Sequence, residues 1–219
     1  GIDMEGKKAV LSDLNDDIIE AYKGVRDMKN YDYAALPEYA KLMTVEEMTE
    51  FIENAPCYGF EKYVATSLKQ YYTFQSKGVG RLYDHLANRT KTHFKRMNAE
   101  TLSKYQAKLK TAEIINAEYR YVIDKYDAED TLFYLDPPYE RKSSSKFYKY
   151  DDMDYEELAV ILKKIKGKFI LSLNSSPRIH ELFKDFNIDI VKTKNNMIDR
   201  LGKGKGLREE VIITNYKLI

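Results

Sequence analysis

The 219-residue sequence holds one cysteine, Cys57, so no internal disulfide can form and a disulfide-stapled secreted scaffold is excluded. Together with the lack of a charged-then-apolar leader, this points to a reducing, cytoplasmic compartment. No apolar run approaches the roughly 18 residues that a membrane helix needs, so the expected class is soluble and no membrane partner is expected. Histidine is scarce: His85, His93 and His180 are scattered, without cysteine or carboxylate neighbours at ligand spacing, and no metal is expected. Cys57 follows Pro56 in a loop-like stretch and reads as inert. Internal repeats are absent. The chain also lacks net charge of one sign, with 36 Lys+Arg against 35 Asp+Glu.

That balance conceals a separation along the chain. Residues 1–61 carry 6 basic and 14 acidic side chains, residues 62–112 carry 11 and 2, and residues 113–219 carry 19 of each. The middle block interleaves its cations with Tyr71, Tyr72, Phe74, Tyr83 and Phe94. Cations that displace phosphate counterions and rings that stack or wedge are what a nucleic-acid surface requires. A solvated lysine-rich helical face is the alternative.

Residues 8–13 (KAVLSD) read as a short strand, and residues 15–27 as a helix with Ile18, Ile19, Tyr22 and Val25 at helical spacing. From about 30 to 112 the pattern is helical, with breaks expected at Pro37, Pro56 and the 76–80 turn. Strands return at 113–116, 131–136, 168–173, 187–193 and 210–216, separated by helical patterns at 118–125, 154–166 and 177–186. Alternation of this kind predicts an α/β fold around a mostly parallel sheet, carrying a basic helical insertion. Leu158, Ile161, Leu162 and Ile165 repeat as a helix face packed on that sheet. Asp151, Asp152, Asp154, Glu156 and Glu157 gather at a helix start, where they suit the positive end of the dipole and read as capping rather than catalysis.

The stretch with most chemistry is Thr131 to Tyr139, TLFYLDPPY. A β-rich run stops at Asp136, beyond the carboxyl end of a strand, where ligands of such sheets bind. Pro137 and Pro138 remove two backbone donors and fix φ, making a stiff turn. A carboxylate beside exposed carbonyls accepts from an amino group, and the Tyr139 ring offers a face to a planar base. A rigid loop whose Asp satisfies a turn is the alternative.

Asp136-Pro137-Pro138-Tyr139 after an apolar strand resembles the catalytic motif of amino-methyltransferases acting on DNA adenine, and the chain resembles the DNA adenine methylase (Dam) family, the D12 class of adenine-specific DNA methyltransferases. Residues 12–27 (SDLNDDIIEAYKGVRD) are similar to that family's strand-acid-helix segment, 166–175 (KGKFILSLNS) to the strand after the catalytic loop, and 208–216 (REEVIITNY) to the closing strand. The resemblance implies a class I methyltransferase (Rossmann-like) fold, with residues 1–30 and 111–219 as catalytic domain and 31–110 as target-recognition insertion. It implies S-adenosylmethionine as cofactor, with Asp13 on the ribose hydroxyls and Asp136 at the methyl-transfer end. The family's Asp for the cofactor's adenine amine is matched here by Glu118, one methylene longer. The family's glycine-rich motif should precede residue 8, and the sequence begins at Gly1. The expectation is therefore a chain without its N-terminal cofactor segment, and a sheet with an unpaired edge between the strands at Lys8 and Thr131. Gly78-Val79-Gly80 and 202–206 read as loops, not substitutes.

The implied reaction is methyl transfer to the exocyclic amine of an adenine flipped out of double-stranded DNA. Asp136 and the Pro137 carbonyl would accept from the amine, and Tyr139 would stack on the base. Phosphate and base contacts are expected from Lys69, Lys77, Arg81, Arg89, Lys91, Lys95 and Arg96. The loop 199–208 (DRLGKGKGLR), with Arg200, Lys203 and Lys205, resembles a DNA-contacting loop of the family; a surface hairpin is the alternative. A bacterial or phage source, with or without a companion restriction nuclease, fits this family. Two other functions remain open at this level: an amino-methyltransferase acting on RNA, and a non-catalytic DNA-binding remnant.

Overall fold

The computed structural model describes residues 6–39, 44–72, 98–139, 153–194 and 207–217. The chain divides into two compact units, Gly1–Tyr119 and Arg120–Ile219. No helix among the described residues is long and apolar enough to cross a membrane.

In the first unit, strand β1 (Ala9–Asp13) runs parallel to β2 (Ala112–Asn116), in register from Ala9 opposite Ala112 to Asp13 opposite Asn116. Helix α1 (Asp16–Arg26) follows β1 at once because Asn15 caps it, its side chain accepting from the Asp17 N–H at 3.0 Å. Asp16 and Asp17 in the first turn and Lys23 and Arg26 in the last suit the helix dipole. Next come α2 (Asn30–Tyr39), α3 (Val45–Asn54) and α4 (Gly59–Tyr72), and α5 (Ala99–Lys110) precedes β2. Thr44 and Glu47 form a reciprocal capping box at α3, and Asn98 caps α5.

Pro37 does not break the chain as expected: α2 runs through it to Tyr39. At this late position the proline forfeits a single intrahelical bond in a helix that ends two residues on. The break at Pro56 is present, since α3 ends at Asn54 and α4 starts at Gly59.

Helices α4 and α5 lie against α1, with Ile19, Val25, Phe60, Val64, Leu68, Leu102 and Leu109 in one buried cluster. The α1–α4 approach is backbone to backbone: a Cβ added at Gly24 would sit 2.2 Å from the Gly59 carbonyl oxygen. Gly59 itself has φ +83°, a conformation that L side chains rarely adopt. Polar ties reinforce the contact, with Lys62 Nζ 2.6 Å from Asp17 Oδ1. Gln106 of α5 donates to the Met28 carbonyl at 2.8 Å and the Arg26 carbonyl at 3.2 Å, satisfying acceptors at the end of α1.

Helix α6 (Tyr119–Tyr126) leads into the second unit, built on β3 (Leu132–Leu135), α7 (Tyr155–Leu162), β4 (Lys168–Asn174), α8 (Pro177–Leu182), β5 (Asn187–Lys194) and β6 (Leu207–Thr214). The strand order is β3-β4-β6-β5, with β3 parallel to β4 and β6 antiparallel to both its neighbours. Among the described residues the strands thus form two sheets, with two parallel and two antiparallel pairings, rather than one mostly parallel sheet. Both antiparallel pairings come from β6, which starts at Leu207 instead of the expected residue 210, lies between β4 and β5 and pairs with β5 along its whole length.

Alternate residues of β4 divide the faces. Phe169, Leu171 and Leu173 are wholly buried, as are Leu158, Leu162, Ile179 and Phe183 of the helical segments. Phe169 meets Phe186 edge-on at 5.1 Å. Ile170, Ser172 and Asn174 occupy the other face. The start of the β3–β4 pair is pinned by polar contacts: the Asp127 carboxylate accepts from the N–H groups of Lys166 (2.9 Å) and Gly167 (2.9 Å). Lys168 N–H donates to the Thr131 carbonyl at 2.8 Å.

The Gly24–Gly59 contact sets a stability test. Alanine at position 24 gains about 1 kcal/mol of helix propensity, but forcing the two backbones apart outweighs that gain. Gly24→Ala is expected to lower stability by roughly 1–3 kcal/mol in urea denaturation followed by circular dichroism. An unchanged midpoint would mean that α1 and α4 do not approach this closely.

Candidate active site

Strand β3 ends its ladder at Leu135, opposite Leu171, and Asp136 is the next residue. The chain then turns through Pro137 and Pro138 to Tyr139, and two hydroxyl groups hold that turn. The Tyr155 hydroxyl donates to the Pro138 carbonyl, and the Tyr139 hydroxyl lies 3.0 Å from Ser172 Oγ. Both anchors are buried. Tyr155 is 5% exposed at the first position of α7, and Ser172 is 6% exposed in the middle of β4. Asp154 fixes the start of α7, accepting from the Glu157 N–H at 2.9 Å; this is the capping role expected of it, while Asp151 and Asp152 lie outside the described residues. Neither Tyr155 nor Ser172 was singled out in the sequence. The traces they leave are slight: an aromatic directly after a helix cap, and one hydroxyl within the apolar run FILSL.

Asp136 is exposed, and its carboxylate makes no hydrogen bond or ion pair with any described residue. Enough protein still crowds the carboxyl to raise its pKa above the ordinary carboxylate range, by burial first and then by the Glu210 carboxylate. Glu210 stands on β6 opposite Asn174, so β3, β4 and β6 place an acid pair and an amide at one end of three adjacent strands. Asn174 Oδ1 is buried, with no hydrogen-bond partner among the described residues.

The first unit carries a second group. Asp13 ends β1, and one of its carboxylate oxygens accepts from the Asn15 N–H at 2.7 Å. The ends of β1 and β2 are stitched together: Ser12 Oγ donates to the Ala117 carbonyl at 2.9 Å, and the Asn116 amide donates to the Asp13 carbonyl at 3.1 Å. Glu118 follows two residues beyond that ladder and is exposed. The Tyr22 hydroxyl is pushed above its ordinary pKa by burial and by Asp13, which places the phenol near that carboxylate. A carboxylate at a parallel strand end with one oxygen engaged by backbone is chemically suited to vicinal hydroxyls, so Asp13 fits a ribose. Glu118 is suited to an amine by its charge.

Of the basic residues expected at DNA, Lys69 lies half-buried in the last turn of α4. Lys77, Arg81, Arg89, Lys91, Lys95, Arg96, Arg200, Lys203 and Lys205 lie outside the described residues. Part of the basic block is engaged with acids inside the protein: Lys62 pairs with Asp17, and Lys104 with Glu100. His180 Nε2 lies 3.1 Å from Ser175 Oγ, a local contact, and among the described residues no three metal-ligating side chains come together. Cys57 is exposed in the loop before α4.

Comparison with known proteins gives this geometry a family. The sequence profile of D12 class N6 adenine-specific DNA methyltransferases matches residues 2–197. The type II methyltransferase M1.LlaDCHI of Lactococcus lactis subsp. cremoris is 38% identical over 101 residues, covering 41% of this chain and 35% of that relative. The chain thus matches about a third of that relative's length. The type II methyltransferase M.MjaIII of Methanocaldococcus jannaschii is 27% identical over 251 aligned positions, covering 97% of this chain and 81% of the relative. Because the profile spans nearly the whole sequence and includes the β3 corner, this chain belongs to the D12 class N6 adenine-specific DNA methyltransferase family.

Proposed function

We propose that the chain is the catalytic part of an S-adenosylmethionine-dependent methyltransferase that modifies the exocyclic amine of adenine in duplex DNA, with the target base flipped out of the helix. The observation that carries this reading is the Asp136 carboxylate, exposed at the end of β3 on a proline-stiffened corner and hydrogen-bonded to no described residue. Family membership supplies the reaction class.

In this reading the fold is Rossmann-like, residues 31–110 form the target-recognition insertion, and the rest of the chain is catalytic. Each unit's topology supports it separately: a parallel pair with an acid at its carboxyl end in one, and a parallel pair closed by an antiparallel strand in the other. Asp13 would hold the cofactor's ribose and Glu118 its adenine amine. When bound, S-adenosylmethionine would supply an electrophilic methyl group, the C–S electron pair staying on sulfur, and the amine nitrogen that takes the methyl would release one proton to solvent.

The adenine amine is a poor nucleophile because its lone pair is delocalised into the ring. Asp136 and the Pro137 carbonyl, by accepting from its two hydrogens, favour the pyramidal form in which that pair is available. Tyr139 stacks on the extruded base, and the fixed corner contributes through orientation. Lys69 and the basic residues at 77–96 and 200–205 contact phosphates and bases.

Asp136→Ala is expected to lower transfer of labelled methyl from S-adenosylmethionine to duplex DNA by about 10²-fold or more. Its thermal midpoint and duplex affinity should match those of the unaltered protein. Duplex binding without calorimetric binding of S-adenosylmethionine by the unaltered protein would instead identify a DNA-binding protein without catalysis.

The electrostatics of the corner set a second test. Asp136 accepts as the ionised form and its pKa is raised, so the acid limb of the kcat profile should lie above the ordinary carboxylate range. Glu210→Gln removes a neighbouring negative charge, lowers the proton affinity of Asp136 and should move that limb to lower pH. A limb that stays in place or moves upward refutes the coupling.

A further inference from the structure

The proline pair carries two carbonyls, and the structure distinguishes them. Pro138 O accepts from the Tyr155 hydroxyl, whereas Pro137 O, like the Asp136 carboxylate, accepts from no described residue. This sorting has a structural basis. Two successive prolines offer no N–H to a neighbour, so the corner cannot orient its own peptides through backbone hydrogen bonds. Its orientation has to come from outside, and Tyr155 is well placed to supply it. Its ring is 5% exposed, it opens a helix whose cap is in place, and the Arg178 guanidinium lies over it at 5.8 Å. Arg178 is in turn held by two bonds to Glu156, at 2.6 and 2.8 Å.

The peptide unit that Tyr155 engages joins Pro138 to Tyr139. Holding its oxygen fixes the plane from which the Tyr139 ring departs, and the Tyr139–Ser172 hydroxyl contact holds the far end of that side chain. An unengaged Pro138 carbonyl would be a third acceptor beside Asp136 and Pro137 O. It would be free to draw the target amine away from the aligned geometry.

We propose that Tyr155 is a positioning residue for methyl transfer: by occupying the Pro138 carbonyl it leaves Asp136 and the Pro137 carbonyl as the acceptor pair presented to the target amine. This rests on the function proposed above. Ser172 has the complementary task of holding the stacking ring, so the two hydroxyls affect different kinetic constants.

Tyr155→Phe keeps the buried ring and removes only the hydroxyl. In the full chain it should retain a cooperative thermal transition and leave KM for duplex DNA unchanged, while kcat falls about 10–100-fold. Ser172→Ala should instead raise KM and spare kcat. With 13C-labelled proline carbonyls, the Pro138 resonance should shift in Tyr155→Phe and the Pro137 resonance should not. A folded Tyr155→Phe protein with unaltered kcat overturns the proposal, as does an unmoved Pro138 resonance. Loss of folding on removal of this one hydroxyl would assign Tyr155 a purely structural role and also overturn it. Failure of the unaltered protein to methylate DNA would sink the proposed function first, and that outcome is separable because the carbonyl resonance reports the contact without any turnover.

Discussion

Two consecutive prolines at the end of a strand impose the constraint on which the site depends: the backbone there has no donors with which to fix itself. A corner of this kind is stiff in φ but has no hydrogen bonds to set the orientation of its carbonyls. The protein meets the need with side chains brought from elsewhere. Tyr155 comes from a helix start 17 residues past Pro138, and Ser172 from the neighbouring strand, 33 residues past Tyr139. The Ser172 contact requires β3 and β4 to be in the observed register. That register is set at the opposite end of the pair, where the Asp127 carboxylate binds the N–H groups of Lys166 and Gly167 and a Cβ at Gly167 would come within 2.7 Å of the Thr131 carbonyl oxygen. A slip of one residue would turn Ser172 to the opposite face and break its contact with Tyr139.

The corner's end of the sheet carries an electrostatic tension. Asp136 and Glu210 share it, and repulsion between them adds to partial burial in raising the proton affinity of Asp136. A carboxylate that binds protons more tightly is also a stronger hydrogen-bond acceptor. Under the proposed function this would suit a residue that draws on the weakly acidic hydrogens of an aromatic amine. The cost is paid in stability, because two like charges and the Asn174 amide oxygen, buried with no partner among the described residues, lie at the same strand ends. Such local disfavour is common where a protein keeps groups ready for a ligand rather than for one another.

In the first unit, the acid at the end of β1 is set by close helix packing. Helix α1 starts three residues beyond Asp13 and can dock on α4 only because Gly24 and Gly59 permit backbone contact. The helices that follow α1 in the chain therefore do more than present charge. The Lys62–Asp17 pair spends one cation of the basic block on joining α4 to α1, and Gln106 ties α5 to the carboxyl end of α1.

What could be read from the sequence was the local part. The strand before Asp136, the cap at Asp154, the acid ending β1 and the alternation of strands with helices all follow from neighbouring residues, since periodicity and capping act over a few positions. Pro37 was misread for the same reason: a proline late in a helix and one that ends it look alike locally. Partners distant in sequence left almost no trace. That Tyr155 meets Pro138, that Ser172 meets Tyr139 and that Glu210 faces Asp136 depends on strand order and register, in which β6 lies between β4 and β5. The sequence by itself determined which side chains have the chemistry to accept from an amine. The tertiary structure decided which of those acceptors no described residue occupies, because only folding brings the Tyr155 hydroxyl to the Pro138 carbonyl.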